Sequence, residues 1–195
     1  MKIIGITGGV GSGKSAILDY LEERYKAYIC KADEVAMKLQ EKDRPCFQEI
    51  VSHFGTGILS GDGEIDRGKL AGIVFSEEAQ LKQLNQIVHP AVKREILLRI
   101  EEEKKKKTQY FVLEAALLLE ENYQAVCDEM WYIYTRTDVR RTRLKAARGY
   151  SDQKIDDIIA SQMSEEAFRN GCGCVIDNSG AFEKTSIQID RIMEN

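Results

Sequence analysis

Gly8-Gly9-Val10-Gly11-Ser12-Gly13-Lys14-Ser15 constrains this chain more than any other stretch of it. It follows an apolar run, Ile3-Ile4-Gly5-Ile6, and opens onto Ala16-Ile17-Leu18-Asp19-Tyr20-Leu21, so the local order is strand, glycine loop, helix. Gly8, Gly13, Lys14 and Ser15 stand at the spacing of a phosphate-binding loop. Glycines let the backbone wrap closely around a polyphosphate and turn its N–H groups inward. The helix that begins where the loop ends adds its unpaired N–H groups and its dipole to the same field. Lys14 is expected to reach the β- and γ-phosphates, and the Ser15 hydroxyl to contact Mg²⁺. A plain turn between strand and helix needs none of these fixed residue types. The spacing therefore predicts that the chain binds ATP or GTP.

At 195 residues the chain can build one full core with room for a subdomain. Hydrophobic residues make up 43% and charged ones 31%, the balance of an ordinary globular protein. The net charge is −4 and Lys and Arg are scattered, which argues against a nucleic-acid partner, since that needs a concentrated basic face. No apolar run approaches the roughly 18 residues of a membrane span, and the N-terminus enters a core strand at once without a signal-peptide pattern. A cytoplasmic protein away from membranes, monomeric or a small homo-oligomer, is the expectation. The odd set of cysteines, Cys30, Cys46, Cys127, Cys172 and Cys174, fits reduced thiols. Cys172-Gly173-Cys174 lacks both the Cys-x2-Cys spacing and a second ligand pair, and reads as small residues beside a strand.

Further strands are expected over 27–30, 110–113, 130–134 and 174–177. With the first strand they make a five-stranded parallel sheet covered by helices on both faces, an α/β fold. Residues 33–107 read as a helical insertion between the second and third strands, leaving 1–32 and 108–195 as the nucleotide-binding core. Asp43-Arg44-Pro45, Gly55-Thr56-Gly57 and Ser60-Gly61-Asp62-Gly63 punctuate the insertion as turns. His89-Pro90 is expected to break it, because proline pushes the preceding residue out of the helical region, so that a last helix covers 91–107. That helix ends in Glu101, Glu102 and Glu103, each four residues before a lysine, which reads as a solvated face.

Several polar residues fall where chemistry is possible. Asp33 lies where a strand's carboxyl end meets a helix start, as an N-cap or as a base facing an acceptor hydroxyl. Glu114 ends the third strand, as an ordinary strand-end acid or, at a Walker-B position, as a holder of Mg²⁺ or its water. Arg140, Arg141, Arg143 and Arg148 lie on one helical stretch with no neighbouring acidic run, which suggests a phosphate clamp. Residues 149–170 then read as a mobile helical lid that keeps water from the reactive phosphate. No Asn-Lys-x-Asp is present to read guanine, and Asp177-Asn178-Ser179-Gly180 lies almost at the C-terminus, so a GTPase switch is excluded. A P-loop core with a helical insertion and an arginine lid is the architecture of small-molecule kinases.

Ile6-Thr7 followed by the glycine loop resembles the opening of dephospho-coenzyme A kinases. Similar features follow in that family's order: Ala32-Asp33, Phe54-Gly55, Asp62-Gly63-Glu64-Ile65-Asp66-Arg67 and His89-Pro90. Then come Leu117-Leu118-Leu119-Glu120, the pair Arg143 and Arg148, Gln162-Met163, and Val175-Ile176-Asp177-Asn178. The resemblance spans essentially the whole chain. It implies ATP-dependent phosphorylation of the ribose 3′-hydroxyl of dephospho-coenzyme A, the last step of coenzyme A synthesis. It also implies a three-layer α/β/α core, with an acceptor-binding insertion and a lid. By that resemblance Asp33 is the base, assisted by Lys14, and Arg143 and Arg148 neutralise the transferring group. Gly8, Gly9, Gly11, Ser12, Gly13, Lys14, Ser15, Ala16 and Asn178 contact ATP, while Ser15 and Glu114 contact Mg²⁺. Asp33 and Leu117 are expected against the acceptor, with Arg67 and His89 at its pantetheine arm. Ala16, Lys31, Ala116, Arg140 and Gly173 depart from the family's usual residues. The rivals are a nucleoside or nucleoside monophosphate kinase, and a regulatory module that binds a nucleotide without transferring phosphate.

Overall fold

The structure, a computed structural model, describes residues 1–194. Its backbone divides into two units, one of Met1–Ile29 with the chain from Lys106 onward, the other Cys30–Lys105. Among the described residues no helix is long and apolar enough to cross a membrane.

The first unit is built on strands β1 (Lys2–Thr7), β3 (Tyr110–Glu114), β4 (Glu129–Tyr134) and β5 (Cys174–Asp177), with β2 (Tyr28–Lys31) on the boundary. The sheet runs in the order β2-β3-β1-β4-β5. β1 pairs in parallel with β3 (Ile6 opposite Glu114) and with β4 (Thr7 opposite Tyr132), and β4 pairs in parallel with β5. Ile4, Ile6, Val112, Trp131, Ile133 and Ile176 cover one face and are buried together with Ile17, Leu18 and Leu21 of α1 (Lys14–Tyr25) and Ile189 of α9 (Phe182–Met193). Alternation along β4 turns Tyr132 to the other face, where its ring stacks on Phe168 of α8 (Glu165–Gly171) at 4.8 Å. The sheet is thus the middle of three layers, as expected for an α/β fold of this class. α6 (Thr137–Arg148) and α7 (Asp152–Ala160) complete this unit's helices.

The second unit contains α2 (Ala32–Leu39), α3 (Pro45–Phe54), α4 (Arg67–Val74) and α5 (Glu78–Lys105). The expected break at His89-Pro90 does not occur: α5 runs through it, and the helix expected to begin at 91 begins at Glu78. Val88, Val92, Ile96 and Ile100, spaced by four, are all buried, and α2, α3 and α4 pack on α5. That continuous apolar row carries the helix across the missing N–H. Pro90 sits on the exposed side, as does Gln86, whose carbonyl the proline leaves without a helical donor and open to water. The cap reading of Asp33 is also corrected. It is the second residue of α2; the capping position belongs to Lys31, whose ammonium bonds Glu34 at 3.0 Å, and no side chain caps this helix.

Candidate active site

The glycine loop leaves the carboxyl end of β1, with β3 on one side and β4 on the other. The chain leaves β1 for β2 on one side of it and leaves β3 for β4 on the other, and that change of direction makes this the crevice where open α/β sheets receive ligands. Gly13 ends the loop in the left-handed region at φ 85° and is the N-cap of α1. A side chain there would be strained, and its Cβ would run into the Asn178 amide. Gly8 is equally constrained, since a Cβ would lie 2.7 Å from the Ile133 carbonyl oxygen. The first turn of α1 carries no acidic residue, so nothing on the helix competes with an incoming anion.

Lys14 opens α1, and its ammonium donates to the Gly8 carbonyl at 2.7 Å and lies 3.6 Å from Glu114 Oε1. The structure therefore brings together three of the sequence-derived candidates, Gly8, Lys14 and Glu114, at the loop mouth. Ser15 and Ala16 follow on the exposed first turn. Thr7 precedes the loop and Ser12 lies within it, and their hydroxyl oxygens are, among the described residues, the buried side-chain nitrogen or oxygen atoms with no hydrogen-bond partner. Polar atoms in that condition suit a site that receives a polar ligand.

The arginines of α6 separate by direction. Arg140 and Arg143, one turn apart, both reach the loop. Arg140 Nε donates to the Val10 carbonyl at 2.9 Å and its Nη2 to Gln162 Oε1 at 2.6 Å. Burial lowers its pKa, yet a guanidinium retains its charge. Arg143 donates from Nη1 to the Ser12 carbonyl (3.2 Å) and from Nη2 to the Asn178 carbonyl (2.9 Å). Arg141 points elsewhere and pairs with Asp152 and Asp156 of α7. The expectation that no acidic run neutralises this cluster is therefore wrong for Arg141, because α7 supplies carboxylates that are adjacent only once folded. Arg148 is exposed at the end of α6, over the Tyr150 ring at 5.8 Å.

Of the remaining candidates, Asn178 is buried behind the loop, its Nδ2 donating to the Ser12 carbonyl at 2.8 Å. Leu117 is exposed in the turns after β3. Asp33 lies exposed in the second unit, as does Arg67, the first residue of α4, while His89 is half-buried within α5. Arg67 lines a cavity of about 220 Å³ with Met37, Gln40, Glu41, Glu64 and Ile65. The sequence gives no signal for Thr135, whose hydroxyl bonds the Ser12 carbonyl, or for Thr185, whose hydroxyl bonds Asn178 Oδ1; Arg140 reads there as part of a clamp and as a departure from the family's usual residue, and its spacing of three from Arg143 was the available signal for a shared face.

Known proteins match this chain along nearly its whole length. Residues 2–184 match the family model described as Dephospho-CoA kinase. A dephospho-CoA kinase of Carboxydothermus hydrogenoformans is 38% identical over 194 residues, covering 100% of this chain and 94% of that protein. Another, from Aquifex aeolicus, is 37% identical over 194 residues, with 100% and 97% covered. Among solved structures, a Thermus thermophilus protein superposes with TM-score 0.81 at 27% identity, covering 99% of this chain and 96% of that one. A shikimate kinase from Acinetobacter baumannii (TM-score 0.52, 14% identity, 100% and 94% covered) shares the fold. The chain belongs to the dephospho-CoA kinase family.

Proposed function

We propose that residues 8–16 and Asn178 form the ATP site of this enzyme, and that residues of the second unit present the acceptor. The reaction is ATP-dependent phosphorylation of dephospho-CoA, giving coenzyme A and ADP. The reading is carried by the placement of Lys14, between the Gly8 carbonyl and the Glu114 carboxylate at the head of a helix free of acids in its first turn. A triphosphate arriving there meets loop N–H groups, the helix N-terminus and an ammonium that can exchange the Gly8 carbonyl for phosphate oxygens.

Mg²⁺ fits the residues present. Among the described residues no three His, Cys, Asp or Glu side chains cluster as a dedicated metal cage. This ion commonly keeps its waters and takes one or two protein ligands plus substrate phosphates. The Ser15 hydroxyl and the Glu114 carboxylate, directly or through water, are the hard oxygen donors that would hold it. When bound, it neutralises charge on the β- and γ-phosphates.

In the transfer, the ribose 3′-oxygen of dephospho-CoA forms a bond to the γ-phosphorus of ATP. The bond from that phosphorus to the β,γ-bridging oxygen breaks, and ADP leaves. Asp33 accepts the hydroxyl proton, and Lys14, Arg143 and Arg148 balance the charge spread over the transferring group. Arg67, His89 and Leu117 contact the acceptor, Arg67 from the wall of its cavity. Residues 149–170 act as the lid, and the free thiols suit a cytoplasmic enzyme. The test is ADP release with ATP and Mg²⁺, comparing dephospho-CoA with AMP, CMP, UMP and dTMP. Turnover with dephospho-CoA alone, with product phosphorylated at the 3′-hydroxyl, is expected. Turnover with a nucleoside monophosphate instead overturns the acceptor assignment, and ATP binding without any turnover overturns the enzyme.

A further inference from the structure

Three donors converge on one backbone oxygen of the glycine loop. The Ser12 carbonyl accepts from Thr135 Oγ1 at 3.0 Å, Arg143 Nη1 at 3.2 Å and Asn178 Nδ2 at 2.8 Å. Thr135 follows β4, Arg143 belongs to α6 and Asn178 follows β5, so three elements fasten the same atom. Behind Asn178 stands Thr185 of α9, fully buried, with its hydroxyl 3.0 Å from Asn178 Oδ1 and 3.3 Å from the Asp177 carbonyl. A hydroxyl donating to Oδ1 holds the amide with its NH₂ toward Ser12. Rotated by half a turn, the amide would oppose its own oxygen to the Ser12 carbonyl and would lose the hydroxyl's donation to Oδ1.

The direction of this carbonyl has a consequence for anion binding. The Ser12–Gly13 peptide is trans, so its N–H points opposite to its C=O. Fastening the oxygen to β4, α6 and the segment after β5 aims the Gly13 N–H away from those elements. A flipped peptide would turn a carbonyl dipole where the N–H now points and repel an anion there. Glycine at 13, free to occupy both halves of φ space, opposes such a flip least of all residues, so the restraint must come from outside the loop. We propose that Thr185, acting through the Asn178 amide and together with Thr135, is a positioning residue that locks the Ser12–Gly13 peptide with its N–H presented to ATP. This rests on the assignment of residues 8–15 as the triphosphate loop.

The test varies ATP and dephospho-CoA separately in steady-state kinetics on the full chain, alongside equilibrium binding of a non-hydrolysable ATP analogue. Thr185→Val keeps the shape and removes the hydroxyl, leaving Asn178 Oδ1 without that donor. It is expected to raise the KM for ATP and the analogue Kd about tenfold, while kcat and the KM for dephospho-CoA stay within about threefold. Thr185→Ser should restore ATP affinity. Thr135→Val removes a different donor from the same oxygen and should give the same signature, which keeps the test decisive if Thr185→Val does not fold. An unchanged KM for ATP in the folded variants overturns the proposal, as does a parallel rise in both KM values, the mark of general damage. Lys14→Ala separates the two levels. If it too leaves ATP affinity unchanged, the loop assignment has failed; if it weakens ATP binding while the threonine variants do not, only the peptide lock has failed.

Discussion

A carboxylate that serves as a base and one that merely starts a helix leave different kinetic marks. Asp33 sits in the first turn of α2, where its charge complements the helix dipole without capping it. Asp33→Asn keeps the size and most of the local hydrogen-bonding capacity while removing the proton acceptor. With Asp33 as base, turnover should fall by about 10²- to 10⁴-fold, with ATP affinity unchanged in a direct binding assay. Activity within a few-fold of wild type would leave Asp33 as only a helix-start acid. The four arginines of α6 make the companion point. Arg140 and Arg143 bond loop carbonyls, whereas Arg141 is taken up by Asp152 and Asp156. Composition shows four like charges; only the direction of each side chain separates them.

At the scale of elements, α5 carries a proline that its row of buried residues overrides. Pro90→Ala restores a donor for the Gln86 carbonyl and removes a ring clash. It should stabilise the chain by about 1–3 kcal/mol in denaturant unfolding; a loss of stability would mean that α5 packs better with the fixed φ of proline than with a donor at position 90. α1 and α9 are joined by a second device. Asp190 accepts from Tyr25 Oη at 2.6 Å and from Tyr20 Oη at 2.7 Å. These bonds, Tyr25's first, hold the carboxyl below its ordinary value, while burial and the Asp190 bond raise Tyr25. A depressed carboxyl contributes stability above its unfolded value, about 4, and loses it as pH falls through the folded one. Asp190→Asn should therefore be less stable than wild type at neutral pH, and the gap should close as pH falls below about 4 and through the depressed value of the folded carboxyl. A gap that persists to low pH would assign the difference to packing instead.

Over the whole molecule, the thiols share one condition. Burial pushes Cys30, Cys172 and Cys174 up to about 11 and Cys127 to about 12, and it raises Cys46 as well. Since the thiolate is the reactive form, alkylation of Cys30, Cys127, Cys172 and Cys174 near neutral pH should be slower in the native chain than in the unfolded one by about 100-fold or more, and that of Cys46 slower as well. Mass spectrometry of both states reads this directly, and one thiol reacting rapidly in the native state would contradict it.

The strands and the glycine loop were legible because their signals are local. Tyr110 to Glu114 is a short apolar run ending on an acid, and the loop is a contiguous set of residue types at fixed spacing. Buried parallel strands need such runs, and a helix-head anion site needs its glycines and lysine within one short loop. The α/β class follows from those strands alternating with helices, and the resemblance to dephospho-coenzyme A kinases from motifs kept in order. What the sequence could not supply depends on long-range packing. The path of α5 through Pro90 is decided by Val88, Val92, Ile96 and Ile100 against three other helices. The partners of Arg141 lie on a different helix, and the donors on the Ser12 carbonyl come from 123, 131 and 166 residues away. A hydrogen bond forms where two atoms come within about 3 Å at a workable angle. Spacing along the chain sets that for a loop and the helix it opens, but across the sheet only the folded positions of β4, α6, the segment after β5 and α9 do so.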